Sequence, residues 1–164
     1  MRNKLFRIVT VCSILFGLSL ITTSGIYAED EDDVNIYEER LALYKKTATI
    51  TNVPWYYLAA MDHYERNKQQ TSPEEEDIIS IQFEQELWYG PGNIDFNANV
   101  TSIELFGGIG KDGNGDGKAK IDDPEDILLT AAYILTQNGL SDEDIKISLW
   151  QHYKRDLSVK SIQS

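Results

Sequence analysis

The chain is poor in the residues that most small enzymes rely on: one cysteine, Cys12, two histidines, His63 and His152, and four prolines among 164 residues. A lone cysteine in an N-terminal apolar run leaves the folded part without disulfides and without a thiol nucleophile, and no small-residue lipobox precedes it. Zinc hydrolysis needs three protein ligands, commonly histidine-rich, so two isolated histidines with no HExxH pattern exclude a zinc peptidase centre. A G-x-S-x-G elbow is also missing, which weakens a serine hydrolase reading without excluding a Ser-His-Asp arrangement. Basic charge is scarce as well, at 15 Lys+Arg against 27 Asp+Glu for a net charge of −12. Three of those 15, Arg2, Lys4 and Arg7, precede the first acidic residue, Glu29, leaving 12 against 27, a net of −15, for the rest. Nucleic acid and anionic membrane surfaces are poor partners for such a chain, because their phosphates need a basic footprint.

What is present begins with a secretory pattern: "MRNKLFR" carries only positive charge, "IVTVCSILFGLSLI" is apolar, and "TTSGIYAED" brings small residues near Ala28. The apolar run is shorter than the roughly 20 residues of a membrane-spanning helix. It therefore acts either as a signal cleaved after Ala28 or, if Thr22 to Tyr27 are drawn in, as an uncleaved anchor. Residues 1–28 form this segment, 29–35 ("EDEDDVN") an acidic linker, and 36–164 one domain, long enough for a modest core. The expected location is outside the cytoplasmic membrane, with membrane contact only through an uncleaved N-terminus.

Helical spacing dominates the remainder. Tyr37, Leu41, Tyr44 and Ala48 recur at intervals of three and four. Asn52 and Pro54 supply start signals for a second helix that sets Leu58, Met61 and Glu65 on one stripe. Ser72 and Pro73, with acidic residues behind them, repeat the start signal. The stretch "IQFEQELWYGPGNIDFNANVT" mixes a short amphipathic piece with Gly, Pro and Asn and is expected to be a long ordered loop. Asp123 and Pro124 then open a helix with an apolar face of Ile127, Leu128, Ala131, Ile134 and Leu135, closed by Asn138 and Gly139. Ser141 to Asp144 makes a capping-box start for a last helix with Ile145, Leu149 and Tyr153 on one side, and "SVKSIQS" carries no obvious terminal element. The fold class is all-α.

Two features carry chemistry. In "DGNGDGKAKIDDPED", Asp112, Asn114 and Asp116 occupy places 1, 3 and 5 of a calcium loop, Gly117 takes the turn at 6, and Lys118 offers its carbonyl at 7. Place 12 holds Asp123 instead of the usual bidentate Glu, so either Asp123 or Asp126 closes the site. The plainer alternative is a simple Asp/Asn/Gly turn. The second feature is Glu65, a carboxyl group on the apolar stripe of a helix beside Trp55, Tyr57 and Tyr64. Desolvation in such a place suits a carboxyl group to general acid work. Pairing with Arg66, or exposure to water, is the bland reading.

The order of these pieces resembles the soluble and B-type lytic transglycosylases. "NVPWYYLAAMDHYERN" is similar to their Val-Pro-led helix with the catalytic glutamate at the spacing of Val53 to Glu65. "IISIQFEQELW" matches the Gln, Phe and Trp of their next motif at Gln82, Phe83 and Trp88, and "SLWQHYKRD" places Tyr153 at their tyrosine. The acidic loop is similar to the EF-hand-like loop of the B-type enzymes. Departures are Ile79 for the motif's glycine, Gln85 and Glu86 for Pro-Ser, and Lys154 for the asparagine after the tyrosine. This variant pattern looks most like the amino-terminal region of Bacillus-type cell-wall endopeptidases, whose lysostaphin-type peptidase domain follows it. The resemblance implies a lysozyme-like domain with bound calcium that acts on peptidoglycan glycan strands, with Glu65 as acid and base and Gln82 and Tyr153 positioning substrate. It equally implies, as the alternative, a non-catalytic wall-binding module that serves a separate cell-wall peptidase. Trp55, Trp88, Tyr89 and Trp150 are candidates to stack on sugars, with at least half of them expected in the core.

Overall fold

The computed structural model describes residues 31–69, 77–154 and 156–163, so the secretory segment and Ser72 and Pro73 lie outside the described residues. The described residues form seven helices in order: α1 (Glu31–Thr51), α2 (Trp55–Gln69), α3 (Gln85–Tyr89), α4 (Val100–Leu105), α5 (Pro124–Leu135), α6 (Asp142–Tyr153) and α7 (Asp156–Gln163). Among the described residues there is no strand, only an isolated bridge between Asn99 and Lys118, so the described part is all-α. None of these helices is long and apolar enough to cross a membrane.

The described part of α1 takes in residues 31–35, so the stretch expected as a linker is helical there. Asn52 does not cap α2. It adopts a left-handed conformation (φ 61°) just past the end of α1, and its amide closes that helix on the Ala48 carbonyl at 2.9 Å, a place asparagine tolerates better than most residues. α2 buries Tyr57, Leu58, Met61, Asp62 and Glu65, the stripe its periodicity promised.

Residues 77–84 are irregular, and side chains satisfy their backbone instead of a helical ladder. Arg40 donates to the Ile78 carbonyl at 2.9 Å, Arg66 to the same carbonyl at 3.1 Å, and Gln69 to the Ser80 carbonyl at 2.8 Å. The Ser80 amide donates to Asp62. This pins the segment carrying Gln82 and Phe83 to α1 and α2.

The region expected as one long loop contains α3 and α4. Trp88 is the largest fully buried side chain, and its indole donates to the Ala119 carbonyl at 3.0 Å. Gly90 and Gly108 cross there: a Cβ on Gly90 would sit 2.3 Å from the Phe106 carbonyl oxygen, and one on Gly108 would sit 2.4 Å from that of Trp88. Only glycine permits that approach. α5 and α6 start as their sequences indicated, with Asp123 capping the amides of Glu125 and Asp126 and Ser141 and Asp144 forming a reciprocal capping box. α5 stops at Leu135, three residues before Asn138. The C-terminal stretch is helical after all: α7 buries Val159 and Ile162 and packs on α2 and α6.

Candidate functional site

α2 carries two buried carboxylates, and their surroundings differ. Asp62, 2 % exposed, accepts from the Tyr44 hydroxyl at 2.6 Å, from Arg66 at 2.8 Å and from the Ser80 amide, so its acceptor positions serve the fold. Glu65, 4 % exposed, accepts from Lys68 Nζ at 2.8 Å, and Lys68 itself is mostly in solvent. The expectation that Arg66 might hold Glu65 gives way here, because Arg66 stands one turn beyond Asp62 and pairs with it across the i,i+4 spacing.

Tyr153, on the last turn of α6, is brought to Glu65 from the other side of the core. Its hydroxyl is buried and makes no hydrogen bond of good geometry among the described residues, but it lies against the Glu65 carboxylate. Burial pushes that hydroxyl above its ordinary range, and the Glu65 charge and a hydrogen bond to Glu65 push the same way. His152, its neighbour, packs edge-on against Phe83 (5.8 Å between ring centres) and Tyr153 (4.7 Å). Burial lowers its pKa, Glu65 opposes that shift and Lys68 adds to it. Tyr64 completes the aromatic group at 5.2 Å from Tyr153. Glu65 and Tyr153 are therefore brought together, with Phe83 close by.

Gln82 is exposed and lines a different feature, a cavity of about 490 Å³ between residues 77–85 and the start of α5. Sequence reasoning missed His152 and Lys68. The signals were adjacency to Tyr153 and the i,i+3 spacing from Glu65. Of the four aromatics proposed for sugars, Trp88 and Tyr89 are core, while Trp55 and Trp150 are at least partly exposed.

The acidic loop is ordered by its own hydrogen bonds. Asp112 accepts from the amides of Gly115, Asp116 and Gly117, and Asn114 accepts from Asp116 and donates to Asp123. Asp116 accepts from the Lys118 amide and from Lys120 Nζ, each at 2.8 Å, and the Lys120 hydrogen bond holds its carboxyl below the usual range. Asp126, fully buried, uses its two oxygens on the amides of Gly113 and Lys120, and burial raises its pKa against those amides. The donor set is all oxygen, the chemistry calcium takes. Among the described residues no group of three or more His, Cys, Asp or Glu side chains converges on one point, and the Lys120 ammonium pairs with Asp116.

No protein-family model matches the chain, and no solved structure matches it. Over 128 residues it is 41% identical to the L-Ala–D-Glu endopeptidase of Bacillus subtilis (strain 168), a match that takes in 76% of this chain and 39% of that protein. The chain thus spans about two fifths of the length of the curated relative it matches.

Proposed function

We propose that this chain is an exported, peptidoglycan-acting domain whose site is the buried Glu65 faced by the buried Tyr153 hydroxyl. Support comes from the relative, whose L-Ala–D-Glu substrate bond joins an L- to a D-amino acid, a linkage typical of peptidoglycan stem peptides. The observation that carries the reading is the contrast on α2: Asp62 is saturated by three donors, whereas Glu65 is held only by the exposed Lys68 and the buried Tyr153 hydroxyl.

On this reading the chemistry is that of a lytic transglycosylase. Glu65 protonates the glycosidic oxygen as the bond from muramic C1 to that oxygen breaks. The resulting carboxylate takes the proton of the muramic 6-hydroxyl, whose oxygen bonds C1 and closes a 1,6-anhydro ring. One carboxyl group suffices, unlike the paired carboxylates of ordinary glycosidases. Tyr153 hydrogen-bonds the substrate, while Gln82 lines a separate cavity. Lys68 must swing away before Glu65 delivers a proton, and its long exposed side chain allows that.

The same ion pair favours a second reading, a wall-binding module without catalysis that presents a separate peptidase to its substrate. Incubating the protein with purified peptidoglycan separates the two. Anhydro-muropeptides in the supernatant support the enzyme, and sedimentation with the wall without any release supports the module. Calcium in the 112–126 loop belongs to this proposal on donor type and spacing alone. Binding there would require Lys120 to leave Asp116.

A further inference from the structure

We propose that the cavity lined by Gln82 is a binding subsite for an aliphatic primary ammonium group, of the kind a lysine-like side chain carries on a peptide. Its floor is apolar and buried, made by Ile79, Ile81 and Ile127. Its exposed rim bears two carboxylates, Asp77 and Asp122, and the amides of Gln82 and Gln85, and among the described residues no lysine or arginine lines it.

The volume of about 490 Å³ is that of a small-ligand pocket. Apolar walls suit a methylene chain, because such a stem loses contact with water along its length while its charged tip stays at the wet rim. Rim charge of one sign selects the tip. A carboxylate tip would meet two like charges and an uncharged tip would gain nothing from them, so the ammonium is the complementary end. The two walls come from segments far apart in sequence. Residues 77–85 are pinned by Arg40, Arg66 and Gln69, and Ile121 and Asp122 are held by the loop that Asp126 brackets. Both sides are thus pre-formed.

This subsite deepens the wall-acting reading, on which the biological source of the ammonium rests, but its chemistry is tested apart from it. Titrating the full chain with N-acetyl-lysine amide, and separately with N-acetyl-norleucine amide and N-acetyl-glutamate amide, while following backbone amide shifts, reads it directly. The lysine probe is expected to shift Ile79, Ile81, Gln82 and Ile121 and to bind roughly fivefold tighter than norleucine, the worth of a well-placed exposed ion pair. Asp77→Asn with Asp122→Asn, both exposed positions, should bring lysine down to the norleucine level with the melting temperature unchanged. Equal binding of lysine and norleucine, shifts spread over the acidic surface, or lysine binding unaffected by the double variant would each overturn the subsite. A peptide-free chitooligosaccharide added in parallel reports the glycan reading alone, so lysine binding without glycan binding contradicts that reading and leaves the subsite standing, and the reverse result does the opposite.

Discussion

Asp62 and Glu65 sit less than one turn apart, and residue-scale energetics separates a structural carboxylate from a functional one. Asp62→Ala would leave the Tyr44 hydroxyl and the Ser80 amide unpaired in the interior and remove the carboxylate from Arg66. Breaking a buried ion pair of this kind costs about 3–5 kcal/mol, so a large drop in melting temperature is expected by calorimetry. A melt within a degree or two of wild type would show that the Asp62 network is incidental. His152 gives a pH signature. Burial lowers its folded pKa below the ordinary histidine value of 6.5, with Glu65 opposing and Lys68 reinforcing, so the unfolded chain binds the proton more readily. The stability it contributes is complete above about pH 6.5 and is lost as pH falls through the folded value. His152→Phe, which keeps the ring between Phe83 and Tyr153, should flatten the fall in melting temperature between about pH 7 and pH 5. Identical acid slopes for both proteins would contradict this. His152 and Lys68 were hidden in the sequence because nothing local marks a histidine as facing a glutamate 87 residues away; only the packing of α6 on the core does so. The Glu65 stripe was legible, since a 15-residue helix repeats its apolar spacing often enough to be read.

Elements were legible in proportion to their length and caps. α5 and α6, at 12 residues each, open on Asp123-Pro124 and on the Ser141/Asp144 box, local chemistry that survives folding unchanged. α3 and α4, with five and six residues, are too short to show a period and exist because Trp88 and Ile103 are buried by distant chain. α7 escaped for a related reason: its apolar residues, Val159 and Ile162, gain meaning only against α2 and α6. Two substitutions test this division. Ser141→Ala removes a cap and should cost about 1 kcal/mol, whereas Ile162→Ala should cost about 2–4 kcal/mol if α7 is a true part of the core. Urea unfolding of both variants checks the order, and an Ile162→Ala protein as stable as wild type would mean that α7 is dispensable.

At the scale of the whole molecule, the acidic loop ties the Gln82 cavity to α5. It leads from the crossing of Gly90 and Gly108 into α5, and its exit forms one wall of the Gln82 cavity. If calcium replaces Lys120 at Asp116, ion binding to the folded chain alone should raise the melting temperature in millimolar calcium by mass action. Asp112→Ala with Asp116→Ala should abolish that response. A wild-type protein indifferent to calcium would leave the loop closed by Lys120 alone. The most direct measurement for the account as a whole is anhydro-muropeptide release from purified peptidoglycan by wild type and Glu65→Gln. Glu65→Gln keeps the shape of the side chain and removes its proton, so release should fall by a factor of about 100 to 10,000, with wall binding and melting nearly unchanged. Equal, measurable release from both proteins would contradict Glu65 as the group on which the site depends.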